Sequence, residues 1–259
     1  KSIEKEVSFN SGRTICDHLD SMRYEIIPLF QTDSNKVYIL PWHFLHRGKI
    51  SDFFSRLSSE AQEIKWDDLK KLVDFIYIAM HGKFAEDGTM QGMLEVLQIP
   101  YMGSKILGSA LSMDKIMQKK FLKMHGINTP VDVVVMPEQI KDFARNAAEI
   151  LAALAEKNIT FPLIVKPYKE GSSLGVSIVR EPHDLESALY KAAFIDPQHA
   201  QAVLIEEKII GMEFTCITIT DYKTGTTHAL APTEIVAPAH VQLFDYEQKY
   251  MPGKATEFT

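Results

Sequence analysis

Lys166 closes an apolar run, "FPLIVK", and is followed directly by "PYKEGSSLGVS". A cation at the end of a buried strand, with glycines and serines just beyond it, suits an anion. Backbone N–H groups of Gly171, Ser172, Ser173 and Gly175 can line a concavity, because glycine permits close approach and unusual dihedrals. An ordinary β-turn between two strands explains the same residues equally well, and no GxxxxGK[ST] motif is present. Lys115, in "SALSMDK", is a second cation that reads either as a phosphate ligand or as part of a solvated helix face. Further on, "EEKIIGMEF" puts Glu206 and Glu207 at a strand end and Glu213 at the start of the next strand. Such an edge can offer main-chain groups to a purine and a carboxylate to ribose hydroxyls, or it can simply be solvated. His81 follows the apolar run "FIYIAM", where a parallel strand would deliver a ligand loop; hydrogen bonding within its own loop is the plainer account.

These residues need elements to hold them. A helix is expected from Ser8 to about Leu19, then short strands in "YEIIPLF" and "KVYIL". Residues 42–69 read as polar and irregular, with one or two surface helices. "FIYIAM" has the continuous apolar character of a strand buried on both faces, and the loop "HGKFAEDG" and helix "TMQGMLEVLQI" complete a βα unit. Apolar residues at Met113, Ile116, Met117, Phe121 and Met124 have helical spacing, which predicts one core-facing helix over residues 109–124, ended by Gly126. Strand "VDVVVM", one long Ala-rich helix over residues 137–157, strands "FPLIVK" and "VSIVR", helix "HDLESALYKAAF" and strand "AVLIEE" follow, then further strands in "EFTCITIT" and "HALAPTEIVA". This order predicts an α+β region built on a mostly antiparallel sheet.

The totals exclude several classes. With 259 residues, 46% hydrophobic and 24% charged, the chain can bury a real core and is not disordered in character. A net charge of -6 leaves no excess of cations to displace counterions from a nucleic acid. Cys16 and Cys216 stand far apart with no CxxC, so they read as reduced residues of a cytoplasmic protein rather than a zinc site. The apolar runs are too short for a membrane helix, and "KSIEKE" is no signal peptide. The polar start without Met and the loop-like end "KYMPGKATEFT" suggest a fragment.

Taken in order, the motifs resemble the D-alanine:D-alanine ligases of the ATP-grasp superfamily. "HGKFAEDGTMQGMLEVLQIPYMGS" with "SALSMDK" is similar to the family's HGxxGEDGxxQGxLExxxIPYxG and SAxxMDK run. "EKEVSFNSG", "KPYKEGSSLGVS", "LIEEKIIGMEF" and "FDYEQKY" match its first helix, phosphate-covering loop, nucleotide hinge and flexible loop. The resemblance implies a fold of α/β and α+β class: a Rossmann-like (pre-ATP-grasp) domain over residues 1–103, a central ATP-grasp subdomain over 104–207, and the start of a C-terminal ATP-grasp subdomain over 208–259.

It also implies a reaction in which ATP phosphorylates the carboxylate of one D-alanine and the amine of a second attacks the acyl phosphate. Under that resemblance Lys115 and Lys166 bind ATP phosphates, and Gly171, Ser172 and Ser173 belong to the loop over them. Glu206 with the backbone of Glu207, Lys208 and Ile209 forms the adenine site, and Glu213 reaches the ribose. Glu4 holds the ammonium of the first D-alanine near His81, Ser172 and Tyr250 link Glu4 to the mobile loop, and Lys249 faces the phosphate. The "KY" pair favours an amine over D-lactate as second substrate. Two departures are Ala85, where the family has glycine, and Lys208, where the hinge often has an aromatic. The magnesium ligands and an arginine for the intermediate are expected beyond residue 259, a first strand before residue 1, and a homodimer from the family alone. The alternatives are a non-catalytic nucleotide-binding fragment and an ATP-grasp ligase with another second substrate such as D-lactate.

Overall fold

A computed structural model describes residues 2–46, 48–221 and 223–236. The backbone divides into two units, one of residues 1–127 with 169–171, the other of residues 128–168 and 172–259.

The first unit opens with α1 (Lys5–His18), which turns Val7 and Phe9 inward. Strands β1 (Leu29–Gln31) and β2 (Val37–Ile39) form an antiparallel hairpin. The segment expected to be polar and irregular instead supplies much of the core. It holds α2 (Ile50–Phe53), α3 (Leu57–Glu60) and β3 (Gln62–Ile64), and β3 joins β2 as a third antiparallel strand. Phe44, Ile50, Phe53 and Leu57 are buried against Phe9 and Tyr38, with the Phe44 and Phe53 rings stacked at 4.9 Å. Their spacing is irregular because short 3-10 turns at Trp42–Phe44 and Phe54–Arg56 interrupt any helical period.

The run "FIYIAM" does not form the expected doubly buried strand. Its only ladder contact among the described residues is a parallel bridge between Ile76 and Tyr101, and Phe75 is 53% exposed. Beside it lies a mainly apolar cleft of about 1820 Å³ whose lining includes residues 25–31 and 74–81. A strand needs a partner within about 4.8 Å, and among the described residues the run has only that bridge. After α4 (Leu69–Leu72), the expected helix follows the loop as α5 (Thr89–Leu97).

The single helix expected over residues 109–124 is two, α6 (Ile106–Met113) and α7 (Lys115–Met124). Asp114 separates them: its backbone leaves helical space and its carboxylate accepts the Met117 N–H at 3.0 Å as an N-cap. The stripe is only partly core. Met113 is buried, whereas Met117, Phe121 and Met124 are exposed.

The second unit is built on a four-stranded antiparallel sheet in the order β4-β7-β5-β6. Its strands are β4 (Asp132–Val135), β5 (Leu163–Pro167), β6 (Ser177–Val179) and β7 (Val203–Glu207). The long Ala-rich helix breaks at Asp142 into α8 (Pro137–Lys141) and α9 (Phe143–Glu156), and α10 (Leu185–Ala193) lies between β6 and β7 in sequence. Strand side chains alternate between faces. Val133, Val135, Leu163, Val165, Val203 and Ile205 take one face and pack with Ile150 and Leu154 of α9 and Leu185, Leu189 and Ala192 of α10. Each such aliphatic side chain contributes roughly 2 kcal/mol by leaving water. Short exposed antiparallel pairs follow: β8 (Glu213–Thr215) with β11 (Thr233–Ile235), and between them in sequence β9 (Thr218–Thr220) with β10 (Thr227–Ala229).

Candidate functional site

In the second unit the same alternation that buries Val165 and Ile205 turns Lys166 and Glu206 to the opposite face. Lys166 stands across from Leu204, two residues from Glu206, so the two side chains are diagonal neighbours on one face. They form an ion pair, with Glu206 only 3% exposed. Glu207, one residue on, is turned the other way. Its Oε1 accepts the Val131 N–H at 2.7 Å, while its own N–H donates to the Val131 carbonyl at 3.2 Å. The Glu207 carboxylate and N–H thus both hold Val131 at the start of β4, and of its backbone only the carbonyl is left for any hinge role. Lys208 is half-buried, and Ile209 and Glu213 are exposed.

Beyond Lys166 the loop has an unusual backbone. Ser172 (φ 50°), Ser173 (φ 57°) and Gly175 (φ 69°) are all left-handed. Two serines held in that region cost about 1–2 kcal/mol each, a strain that tends to collect at ligand-binding turns. At Gly175 a Cβ would also sit 2.4 Å from the end of the Ile195 side chain, which would have to move.

The first unit holds the other group. Glu4 precedes α1 and is 1% exposed. A Cβ on Gly82 would lie 2.2 Å from Glu4 Oε2, and one on Gly171 would lie 3.3 Å from the same oxygen. Two glycine backbones therefore pack directly on this carboxylate, where a Cβ at either position would crowd it. His81 is tied to α1: its N–H donates to Ser8 Oγ at 2.9 Å and its Nε2 lies 2.7 Å from Ser11 Oγ. On the other ring nitrogen, Nδ1 is 3.9 Å from Glu86 Oε1. The Glu86 carboxylate raises the His81 pKa above its usual value, against the lowering effect of burial, with a further contribution from Glu4.

The loop after His81 is stapled by its own acids. Glu86 Oε2 accepts the Gly82 N–H at 2.6 Å, and Asp87 accepts from Phe84 N at 2.9 Å and Thr89 N at 3.0 Å. Burial works against ionised Asp87, but these backbone donors hold its pKa below the ordinary carboxylate value. Gln91, buried on α5, donates to the Ala85 carbonyl at 2.8 Å. Ala85 itself has no left-handed φ, so the loss of glycine there is tolerated; the positive dihedral falls on Phe84 (φ 70°) instead. Glu86, Asp87, Ser8 and Ser11 were not singled out from sequence. The signal for the first two was the "ED" spaced four residues from Gly82 and three from Phe84. The serines looked like ordinary helix residues.

Lys115 starts α7 and its Nζ donates to the Glu170 carbonyl at 2.5 Å, while Asp114 pairs with Lys169 at 3.5 Å. Ser172 belongs to the second unit and Glu4 to the first. Tyr250 and Lys249 lie outside the described residues.

Within the second unit, a lysine at the end of a buried strand, a turn of left-handed residues and a buried acid have the chemistry that suits an anion. Among the described residues no group of three or more His, Cys, Asp or Glu side chains could hold a metal ion, and no helix is long and apolar enough to cross a membrane.

Comparison with known proteins gives the class. The family model described as D-ala D-ala ligase N-terminus matches residues 1–104, and that described as D-ala D-ala ligase C-terminus matches residues 121–259. The chain belongs to the D-alanine–D-alanine ligase family. Among curated relatives, the D-alanine–D-alanine ligase of Carboxydothermus hydrogenoformans is 38% identical over 71% of this chain and 54% of its own. That of Syntrophotalea carbinolica is 34% identical over 99% of this chain and 66% of its own. The chain thus spans between about half and two thirds of these relatives' lengths. A solved structure titled as the Bacillus anthracis D-alanine–D-alanine ligase complexed with ATP aligns over 92% of this chain and 64% of its own, at 31% identity and a TM-score of 0.62. The combined α/β and α+β, ATP-grasp fold class expected from the resemblance is thereby established.

Proposed function

We propose that this chain carries the nucleotide- and amino-acid-binding residues of an ATP-dependent ligase that joins two D-alanines for peptidoglycan precursor synthesis. The observation that carries the reading is the Lys166–Glu206 pair, set on the sheet face opposite α9 and α10 and leading into a turn of left-handed serines.

In this reading the carboxylate oxygen of the first D-alanine bonds to the γ-phosphorus of ATP and ADP leaves. The amine nitrogen of the second D-alanine then bonds to the acyl carbon, phosphate leaves, and the amine gives up a proton. Lys115 and Lys166 place positive charge against the phosphate oxygens. The N–H groups of the 171–175 loop bind the same oxygens, and the strand end at Glu206 to Ile209 takes the adenine, with Glu213 at the ribose. Glu4 binds the ammonium of the first D-alanine; a buried carboxylate flanked by two glycines suits a small cation and rejects acids that lack one. His81 stands on the carboxylate side of that substrate, and Ser172 with Tyr250 ties the loop to it. Magnesium belongs to the proposal as a partner of ATP, but no described residue is assigned to it. A cytoplasmic homodimer is part of the same reading, supported by family membership.

The test is phosphate release from ATP by the protein expressed from its whole gene. Release that depends on D-alanine is expected. Release with D-lactate as second substrate, or with another amino acid in place of D-alanine, reassigns the substrate. ATP binding without turnover on any of them points to the non-catalytic alternative.

A further inference from the structure

Ser8 and Ser11 are three residues apart on α1 and therefore share a face. Both are used on His81. Ser8 Oγ donates to the Glu4 carbonyl at 3.0 Å and accepts the His81 backbone N–H at 2.9 Å, which fixes where the residue leaves its strand-like run. Ser11 Oγ meets ring Nε2 at 2.7 Å. The opposite nitrogen faces Glu86 at 3.9 Å, and Glu86 is itself held by the Gly82 N–H. A half-turn of the ring would lose both ring contacts.

The two partners differ in chemistry. A carboxylate only accepts, so it favours a proton on Nδ1; a hydroxyl donates or accepts by rotating. In the neutral ring, Ser11 O–H donates to the Nε2 lone pair. In the imidazolium, Nε2–H donates to Ser11 Oγ. The ring can therefore gain and lose a proton at Nε2 without moving. We propose that Ser11 is a positioning residue for His81, holding the ring in one orientation through both protonation states so that it presents a fixed face to the amino-acid substrate. The substrate clause rests on the ligase reading; the clause about the ring does not. The carboxylates of Glu86 and Glu4 are the charged groups that bear on the ring.

Nitrogen-15 NMR of the imidazoles tests it, with the His81 signals identified by their loss in His81→Gln. In the unsubstituted protein the neutral ring should carry its proton on Nδ1; a proton on Nε2 in the neutral form overturns the proposal without any further variant. In Ser11→Ala the midpoint should fall by about half a pH unit, because a hydrogen bond to the charged ring is stronger than one to the neutral ring. Ser11→Thr, which keeps the hydroxyl, should restore it. An unchanged midpoint and tautomer in Ser11→Ala overturn the assignment. In the protein from the whole gene, Ser11→Ala should raise KM for D-alanine about tenfold, with a smaller change in kcat. Absence of D-alanine-dependent phosphate release from the unsubstituted protein would defeat the ligase reading, and the NMR result would still decide the role of Ser11.

Discussion

The two units present charge in opposite ways. In the second unit a regular ladder does the placing: register and two-residue alternation bring Lys166 and Glu206 together on one face, as they would bring any residues at those positions. In the first unit Glu4 and His81 are placed by irregular backbone, through glycines that must lack side chains, a left-handed Phe84, and acids that cap loop N–H groups. The ladder should therefore be most sensitive to loss of charge balance, and the loop site more sensitive to changes of shape than of charge.

The sharpest break in that contrast should come from Lys166→Ala. It removes the Lys166 cation from the buried Glu206 carboxylate, and urea denaturation should show a loss of up to about 3 kcal/mol. Replacing the pair together, as Lys166→Met with Glu206→Gln, should recover most of that stability while ATP binding stays lost. If the single and double variants are equally unstable, the pair is not what the buried face depends on.

Shape should dominate in the first unit. Gly82→Ala forces a side chain into a left-handed position and against Glu4, for about 1–2 kcal/mol in φ strain alone. Gly171→Ala has no such dihedral and a looser 3.3 Å approach, so it should cost less in stability. Equal losses from the two glycines would show that contact with Glu4, rather than dihedral strain, sets the cost. Glu207→Ala should cost about 1 kcal/mol by freeing the Val131 N–H, and Glu207→Gln should cost little, since it keeps an acceptor.

The smallest expected effect is on pH dependence. His81 has a folded pKa above its unfolded value of about 6.5, so its contribution to stability is complete below that pH and fades as pH rises through the folded value. Glu86, held low by His81 and the Gly82 N–H against the opposing effect of burial, contributes above its unfolded pKa of about 4.5 and loses this as pH falls. Thermal midpoints from pH 6 upward should therefore decline slightly more for the unsubstituted protein than for His81→Gln. Identical slopes would count against the charged form of His81.

Much of the second unit was legible before its coordinates. "FPLIVK", "VSIVR" and "AVLIEE" are strands because apolar residues alternate or run together between clear turns, and a mostly antiparallel sheet was expected as well. The first unit was harder to read. "FIYIAM" has a strand's composition, but a strand exists only where a neighbour accepts its hydrogen bonds, and residues 75–80 have little more than the Ile76 bridge. Residues 42–69 hid buried phenylalanines because short turns erase the period that would announce them. Asp114 and Asp142 broke two helices that apolar spacing alone read as continuous.

The sequence by itself determined the order of motifs, the residue types at each site, and the family that order defines. Those depend on identity and spacing along the chain, which need no coordinates. Only the tertiary structure decided that Lys166 pairs with Glu206, that the Glu207 side chain holds Val131, that two glycines press on Glu4, and that Ser11 meets His81. Each of these joins residues 40 to 167 positions apart, or follows from which face of a strand a side chain takes. No local pattern encodes such a meeting; the packing of the core and the register of the sheet do.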